Sequence, residues 1–260
     1  MMNIHPTAII SEKAKIATSA TIGPYCIIGA DVEIGNDCSF LSHVVVKGPT
    51  IIEEGNIFYQ FSTIGEDTPD KKYKGEKTKL LIGKKNIFRE GVTIHRGTIQ
   101  DKNETIIGNE NLFMAYTHVA HDCIVGDKNV FANNAGIAGH VVVGNNISIG
   151  ALTTIHQFCK IGDFSFVGMN TSITMDVPAF VKVAADPARV VGLNSVGMTR
   201  GGIDQKTIAL IKKAYKVLYR RNLKIQEALS KLEIIYKETS NENLNVFIKS
   251  ISLSERGILR

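Results

Sequence analysis

A parallel β-solenoid followed by a small α-helical domain is the fold class this sequence predicts, and three observations predict it. From Ile107 to Ile173 every sixth residue is aliphatic or Phe: Ile107, Phe113, Val119, Val125, Phe131, Ile137, Val143, Ile149, Ile155, Ile161, Val167 and Ile173. Gly follows directly at positions 108, 126, 144, 150, 162 and 168. Beyond Ile173 the period stops, and apolar residues return at the spacing of amphipathic helices. A period of six fits neither an α-helix nor an isolated strand. Short strands joined by tight turns place every sixth residue at a corner of a coil, with Val or Ile pointing inward and Gly where the backbone turns. Three hexads make a triangular coil of about 18 residues, and coils stacked at roughly 4.8 Å share one narrow aliphatic core.

In chain order the repeat begins near the first residue, with Ile4, Ile10, Ile16, Ile22, Ile28, Ile34, Phe40, Val46, Ile52, Phe58 and Ile64. The segment before Ile10 is expected to cap the open end. Glu66 to Lys79 carries no aliphatic side chain, and its Lys and Asp residues with Pro69 cannot line an apolar core. An excursion loop is therefore expected near 66–80. The repeat resumes at Ile82, Phe88 and Ile94, but Ile107 is off phase by one, so a second excursion is expected near 97–105. Loops on a repeat scaffold usually map to one face, which is often the binding face. The solenoid is expected over 1–183 and a linker over 184–203, the latter containing Pro187, Gly192 and Gly197. A helical domain is expected over 204–260. Its first helix is capped by Asp204 and presents Ile208, Ile211, Ala214, Tyr215 and Leu218 on one face. A second helix follows around Ile225–Tyr236 and a third from Asn241 or Asn243. These apolar faces are too small to be stable unless they rest on the solenoid.

The four Cys (26, 38, 123 and 159) show no metal spacing and follow the solenoid phase. They read as small core or wall residues, which points to a reduced cytoplasmic setting. The N-terminus lacks the pattern of a signal peptide, and no stretch suits a membrane span. A formal charge of +5 suits an acidic partner or a phosphorylated substrate. Nucleic acid is disfavoured because Lys and Arg form no stripe interleaved with aromatics.

Four His fall in the regular repeat: His118, His121, His140 and His156. With Val119 and Val125 at corners, His121 and Asp122 are expected on the wall between them. Asp122 and His140, 18 residues apart, are expected to stack on adjacent coils. An imidazole beside a carboxylate is a usual general base. Because strand neighbours point to opposite faces, a direct bond between His121 and Asp122 requires a bend. Read alone, His118 and His140 are equally satisfied polar residues of a subunit interface, since flat-walled solenoids associate as cyclic trimers. A zinc site is the rival chemistry. The spacings of 23, three and 19 residues from His95 to His140 do not give the His pairs four to five apart expected of such a site. No metal and no cofactor are expected.

Several segments carry a more specific signal: Asn3-Ile-His-Pro-Thr-Ala-Ile, Ile22-Gly-Pro-Tyr, Tyr59-Gln-Phe-Ser-Thr-Ile-Gly-Glu, Thr93-Ile-His-Arg-Gly-Thr, His118-Val-Ala-His-Asp-Cys, Ala138-Gly-His140, Ile155-His-Gln-Phe-Cys and Arg256-Gly-Ile-Leu-Arg. Together they resemble the UDP-N-acetylglucosamine O-acyltransferase family that opens lipid A synthesis, over nearly the whole chain. The resemblance implies a homotrimer of left-handed parallel β-helices. It also implies transfer of an (R)-3-hydroxyacyl chain from acyl carrier protein to the 3-position of UDP-N-acetylglucosamine. Carried over residue by residue, it makes His121 the general base, supported by Asp122, and Gly139 the backbone donor to the oxyanion. It places Asp70 and Lys72 on the glucosamine across the subunit boundary. His118, His140, His156 and Gln157 would line the cleft, with Asn194 and Arg200 at the nucleotide or pantetheine.

Two departures from the family pattern matter. Met169 stands where a small residue is common and is expected to act as an acyl-chain ruler, favouring chains of about ten to twelve carbons over fourteen, at about 0.8 kcal/mol per buried CH₂. Val196 stands where a Glu commonly helps bind the nucleotide. The alternatives are a similar acyltransferase using acyl-coenzyme A or the 3-amino sugar nucleotide and, less favoured, a zinc-dependent γ-type carbonic anhydrase.

Overall fold

The computed structural model describes residues 3–260. Short strands stack into three parallel sheets of 11, nine and eight strands, which form the walls of a triangular prism. Each coil contributes one strand per wall, typically of two residues. The first points outward and the second into the core, as in His118–Val119 and Ile124–Val125. The six-residue periodic residues are therefore wall residues, not corner residues. The corners are the tight turns between strands, where Asp122, His140 and Phe158 take φ values of +58°, +64° and +65°. The assignment of Val119 and Val125 to corners, and of His121 and Asp122 to a wall, is thus reversed. Each hexad buries two side chains, as with Val141 and Val143 or Ile147 and Ile149: the periodic residue of the strand and the residue two before it, at the end of the preceding turn.

Gly after the periodic residue also has a different cause from the one expected. A Cβ on Gly108 or Gly126 would lie 2.6 Å from the carbonyl oxygen of the equivalent Gly in the next coil. These positions need Gly for close stacking of coils, while Asn, Asp and Lys at the turns adopt the left-handed conformation.

Inside the prism, Phe40, Phe58, Phe88, Phe113 and Phe131 stack at 4.6–5.0 Å between successive ring centroids. Beside them runs a buried ladder of Asn56, Asn86, Asn111 and Asn129. Each side-chain oxygen in it accepts the backbone N–H of the residue one coil on, at 2.8–2.9 Å. This satisfies turn amides that water cannot reach.

The register exposes two insertions. Phe58 pairs with Phe88, 30 residues on, and Phe88 with Phe113, 25 on, against 18 for Phe113 and Phe131. Twelve extra residues leave the coil between strands Thr63–Glu66 and Lys79–Ile82, and seven between Thr93–His95 and Glu104–Ile107. Twelve is two hexads, which is why Ile64 and Ile82 stay in phase although they lie on different walls. Buried Arg96 ties the two insertions together, donating to Asp67, to the Gly65 carbonyl and to Tyr73 Oη.

After the last complete coil, strands Val181–Ala184 and Arg189–Leu193 form an antiparallel pair on the 11-stranded sheet, so much of the expected linker is regular. Four helices follow: α1 (Ser195–Arg200), α2 (Gln205–Arg220), α3 (Ile225–Thr239) and α4 (Glu242–Ser252). Asn194, Asp204 and Asn241 cap α1, α2 and α4 with their side-chain oxygens. The sequence reading did not anticipate α1. The C-terminal segment returns to the solenoid, where Leu259 N–H donates to the Asp176 carbonyl at 2.9 Å and Asp176 N–H to the Gly257 carbonyl at 2.9 Å.

Candidate active site

His121 and Asp122 occupy a corner turn, and the positive φ at Asp122 bends the chain so that the two side chains meet. His121 Nδ1 lies 2.8 Å from Asp122 Oδ2. Asp122, 1% exposed, also accepts the Thr98 N–H at 2.8 Å and the Thr98 O–H at 2.7 Å, and its own N–H donates to Thr105 Oγ1. Burial pushes its carboxyl upward, but the bonds from His121 and Thr98 outweigh burial and hold it below the usual carboxylate range. Asp122 therefore stays ionised beside the imidazole at neutral pH, which favours the proton on Nδ1 and leaves Nε2 as an acceptor.

Gly139 faces this ring from the next coil. A Cβ there would lie 2.6 Å from His121 Cε1 and 2.7 Å from Nε2. Its N–H donates to no acceptor among the described residues, although its carbonyl accepts from Phe158 N–H. A free amide donor thus sits against the imidazole, the arrangement that can stabilise a developing oxyanion.

His140 stacks one coil above Asp122, with its N–H donating to the His121 carbonyl at 3.1 Å. Its ring lies edge-on to His121 at 5.1 Å and flat on Phe158 at 4.4 Å. Its Nδ1 is 2.9 Å from Asp101 Oδ2 in the second insertion. His118 points outward from the adjacent wall, with Nδ1 2.7 Å from Thr93 Oγ1, and meets His95 edge-on at 5.0 Å. Burial lowers the His118 pKa, with His121 adding to the effect; burial also takes His95 down to about 4. His95 is thus held neutral.

His121, Asp122 and His140 lie close enough together to offer a metal three ligand atoms. The Asp122 oxygens, however, already accept from Thr98 and from His121, and His140 Nδ1 is engaged by Asp101. A cation reaching Asp122 would compete with these bonds for the carboxylate oxygens.

The remaining candidates lie elsewhere in the chain. His156 and Gln157 are exposed one coil above His140, with His156 Nδ1 3.1 Å from the Gln157 carbonyl. Asp70 and Lys72 lie in the first insertion, where Asp70 Oδ1 accepts the Lys72 N–H at 2.9 Å. Met169, 69% exposed, projects from a different edge of the prism. Asn194, Val196 and Arg200 share a cleft of about 430 Å³ with Lys128 and Lys182. Asn194 is held there by its cap on Gly197 N–H and by donation to the Phe164 carbonyl. One chain therefore brings His118, His121, Asp122, Gly139 and His140 together, and leaves Asp70, Lys72, Met169 and the Arg200 cleft apart from them.

Sequence reasoning missed His95, Thr98, Asp101 and Phe158 as parts of this site. Thr98 closes the Thr93-Ile-His-Arg-Gly-Thr segment and so carried a motif signal, whereas Asp101 sits in an insertion that has no period to read.

Comparison with known proteins agrees with this geometry. A family model described as UDP N-acetylglucosamine O-acyltransferase, domain 2, matches residues 176–259, and a bacterial transferase hexapeptide model matches 104–139. A protein of Stutzerimonas stutzeri named acyl-[acyl-carrier-protein]–UDP-N-acetylglucosamine O-acyltransferase is 48% identical over the full length of both chains. The crystal structure of UDP-N-acetylglucosamine O-acyltransferase from Moraxella catarrhalis superimposes with a TM-score of 0.97 at 47% identity, over 100% of both chains. An enzyme structure of the same kind from Acinetobacter baumannii gives 0.96 at 46% identity, over 99% of this chain and 100% of the other. The solenoid is thus the left-handed β-helix of hexapeptide-repeat acyltransferases, and the chain belongs to the UDP-N-acetylglucosamine O-acyltransferase family.

Proposed function

We propose that this chain transfers an (R)-3-hydroxyacyl group from acyl carrier protein to the 3-hydroxyl of UDP-N-acetylglucosamine, the first step of lipid A biosynthesis. The observation that carries the reading is the pairing of His121 Nδ1 with ionised Asp122 at 2.8 Å, beside the unengaged Gly139 N–H. His121 Nε2 takes the proton as the sugar oxygen attacks the thioester carbonyl. The oxyanion that forms accepts from Gly139 N–H, a contribution of roughly 3 kcal/mol in comparable sites. Collapse breaks the C–S bond, and the imidazolium returns its proton to the leaving thiolate.

The homotrimer belongs to this reading. Tyr25, Phe61, Tyr116, Leu152 and Met169 project from one edge of the prism, each more than half exposed. An apolar edge of this length suits burial against a second copy of the chain. Assembly of that kind would bring a Met169 edge and an Arg200 cleft toward a His121 corner, and would bring Asp70 and Lys72 over the sugar. His118, His140, His156 and Gln157 then line the sugar, phosphate and acyl cleft, Asn194 and Arg200 face nucleotide or pantetheine, and Met169 ends the acyl groove. The surplus of positive charge favours an acidic carrier protein. Among the described residues no helix is long and apolar enough to cross a membrane, and a cytoplasmic setting agrees with both substrates.

The test is product mass spectrometry with UDP-N-acetylglucosamine, its 3-amino analogue and a ladder of 3-hydroxyacyl carrier protein thioesters, with His121→Ala alongside. One preferred ester product at or below about twelve carbons, absent in the variant and lengthened in Met169→Gly, is the expected result. Equal use of acetyl-coenzyme A would sink the assignment of the donor.

A further inference from the structure

The seven-residue insertion between Thr93–His95 and Glu104–Ile107 is more than a surface loop, because its side chains reach the carboxylate behind the His121 imidazole and the His140 imidazole itself. Thr98, 2% exposed, gives both its N–H and its O–H to the Asp122 carboxylate, at 2.8 and 2.7 Å. Asp101 Oδ2 lies 2.9 Å from His140 Nδ1. The His140 ring is further held flat on Phe158 and edge-on to His121. Its Nε2 lies 4.0 Å from Asp122 Oδ2, too far for a hydrogen bond. The two rings are thus held alike, each with Nδ1 on a carboxylate and Nε2 uncommitted.

We propose that Thr98 and Asp101 are positioning residues for acyl transfer. Thr98 fixes Asp122 so that His121 carries its proton on Nδ1, and Asp101 holds His140 in the same tautomer. This rests on the acyl-transfer reading above. The physical reason is that a neutral imidazole free to choose its tautomer spends part of its time with Nε2 protonated, and that nitrogen then cannot accept a proton or a hydroxyl donor. A carboxylate at Nδ1 removes that choice, provided the carboxylate itself cannot turn away. Two donors from one residue prevent Asp122 from turning. The insertion therefore acts through the histidines and not on substrate directly.

The test combines steady-state kinetics of the full-length chain with nitrogen NMR of histidine-labelled protein. Thr98→Val keeps the N–H but removes the O–H. It is expected to lower kcat about tenfold with KM within twofold, and Thr98→Ser to restore most of the loss. Asp101→Ala is expected to shift His140 from the Nδ1–H toward the Nε2–H tautomer, while Asp101→Asn, whose carboxamide oxygen still accepts, keeps it. An unchanged His140 tautomer in Asp101→Ala would overturn the role of Asp101. A kcat within twofold in Thr98→Val, or a loss that follows melting temperature and is not rescued by Ser, would overturn that of Thr98. If the wild-type chain makes no ester from this substrate pair, the acyl-transfer reading fails, and the nitrogen spectra decide the positioning contacts separately.

Discussion

At the scale of single residues, the site depends on atoms that are missing as much as on those present. Gly139 has no side chain because a Cβ would lie 2.6–2.7 Å from His121 ring atoms. Gly139→Ala should therefore displace the imidazole and move the oxyanion donor, lowering kcat by about a hundredfold or more. The melting temperature should change by only a few degrees, because the cost falls on one partly exposed ring. Rate and thermal melts of the same preparation check this, and an active Ala variant would remove Gly139 from the reaction. His95 allows a second prediction, on pH. Burial first, then the neighbouring His118, lowers its pKa from 6.5 to about 4; Glu66 opposes this, while His121 and Arg96 add to it. Its Nδ1 is buried without a partner. The folded chain thus refuses a proton that the unfolded chain binds, so stability is full above about pH 6.5 and falls as pH drops toward 4. Denaturant midpoints at pH 7 and pH 5 should differ less in His95→Gln than in wild type. Equal differences would mean that other groups set this limb.

At the scale of elements, each strand is too short to be stable alone, and the coil holds together through columns that run along the prism. The Phe stack from Phe40 to Phe131 is the clearest of these, with Phe88 fully buried between Phe58 and Phe113. Truncation at Phe88 removes two ring contacts and leaves a cavity that rigid neighbouring coils cannot fill. Phe88→Ala is expected to cost about 3–5 kcal/mol, measured as a shift in denaturant midpoint. Loss of less than about 1 kcal/mol would mean that the coils relax into the space. Phe88 lies in the coil that carries the second insertion, so the same variant should also loosen the Thr98 contact with Asp122.

At the scale of the whole molecule, one chain places its candidate groups on separate edges. The His121–Asp122 pair lies at one corner, Met169 on the apolar edge, and Arg200 in a cleft on the C-terminal part of the 11-stranded sheet. Assembly is the simplest way to unite them. Tyr116, 66% exposed on the apolar edge, makes no contact with the His121 dyad. Tyr116→Glu should break the assembly into monomers in light scattering and abolish turnover while circular dichroism remains that of a β-solenoid. A monomeric variant with full activity would show that the site is complete within one chain.

Much of this was legible in the sequence, because a six-residue period writes the inward side of every coil directly into the chain. Ile107 through Ile173 announce the solenoid, Asp204 announces one helix start and Asn241 or Asn243 another, and His121 beside Asp122 announces an imidazole next to a carboxylate. Other features depend on packing. That the periodic residue lies on the wall, and His121 at the corner, follows from where the backbone turns, with left-handed conformations at Asp122, His140 and Phe158. Because the first insertion adds two hexads, Ile64 and Ile82 stay in phase and the period cannot count it. The contacts of Thr98 with Asp122 and of Asp101 with His140 join residues 24 and 39 positions apart through an aperiodic loop. The sequence by itself determined the repeat, the helical tail and the adjacency of His121 and Asp122. Only the tertiary structure decided which residues hold that pair, because hydrogen bonds between distant segments depend on how the coils stack and the insertions fold back.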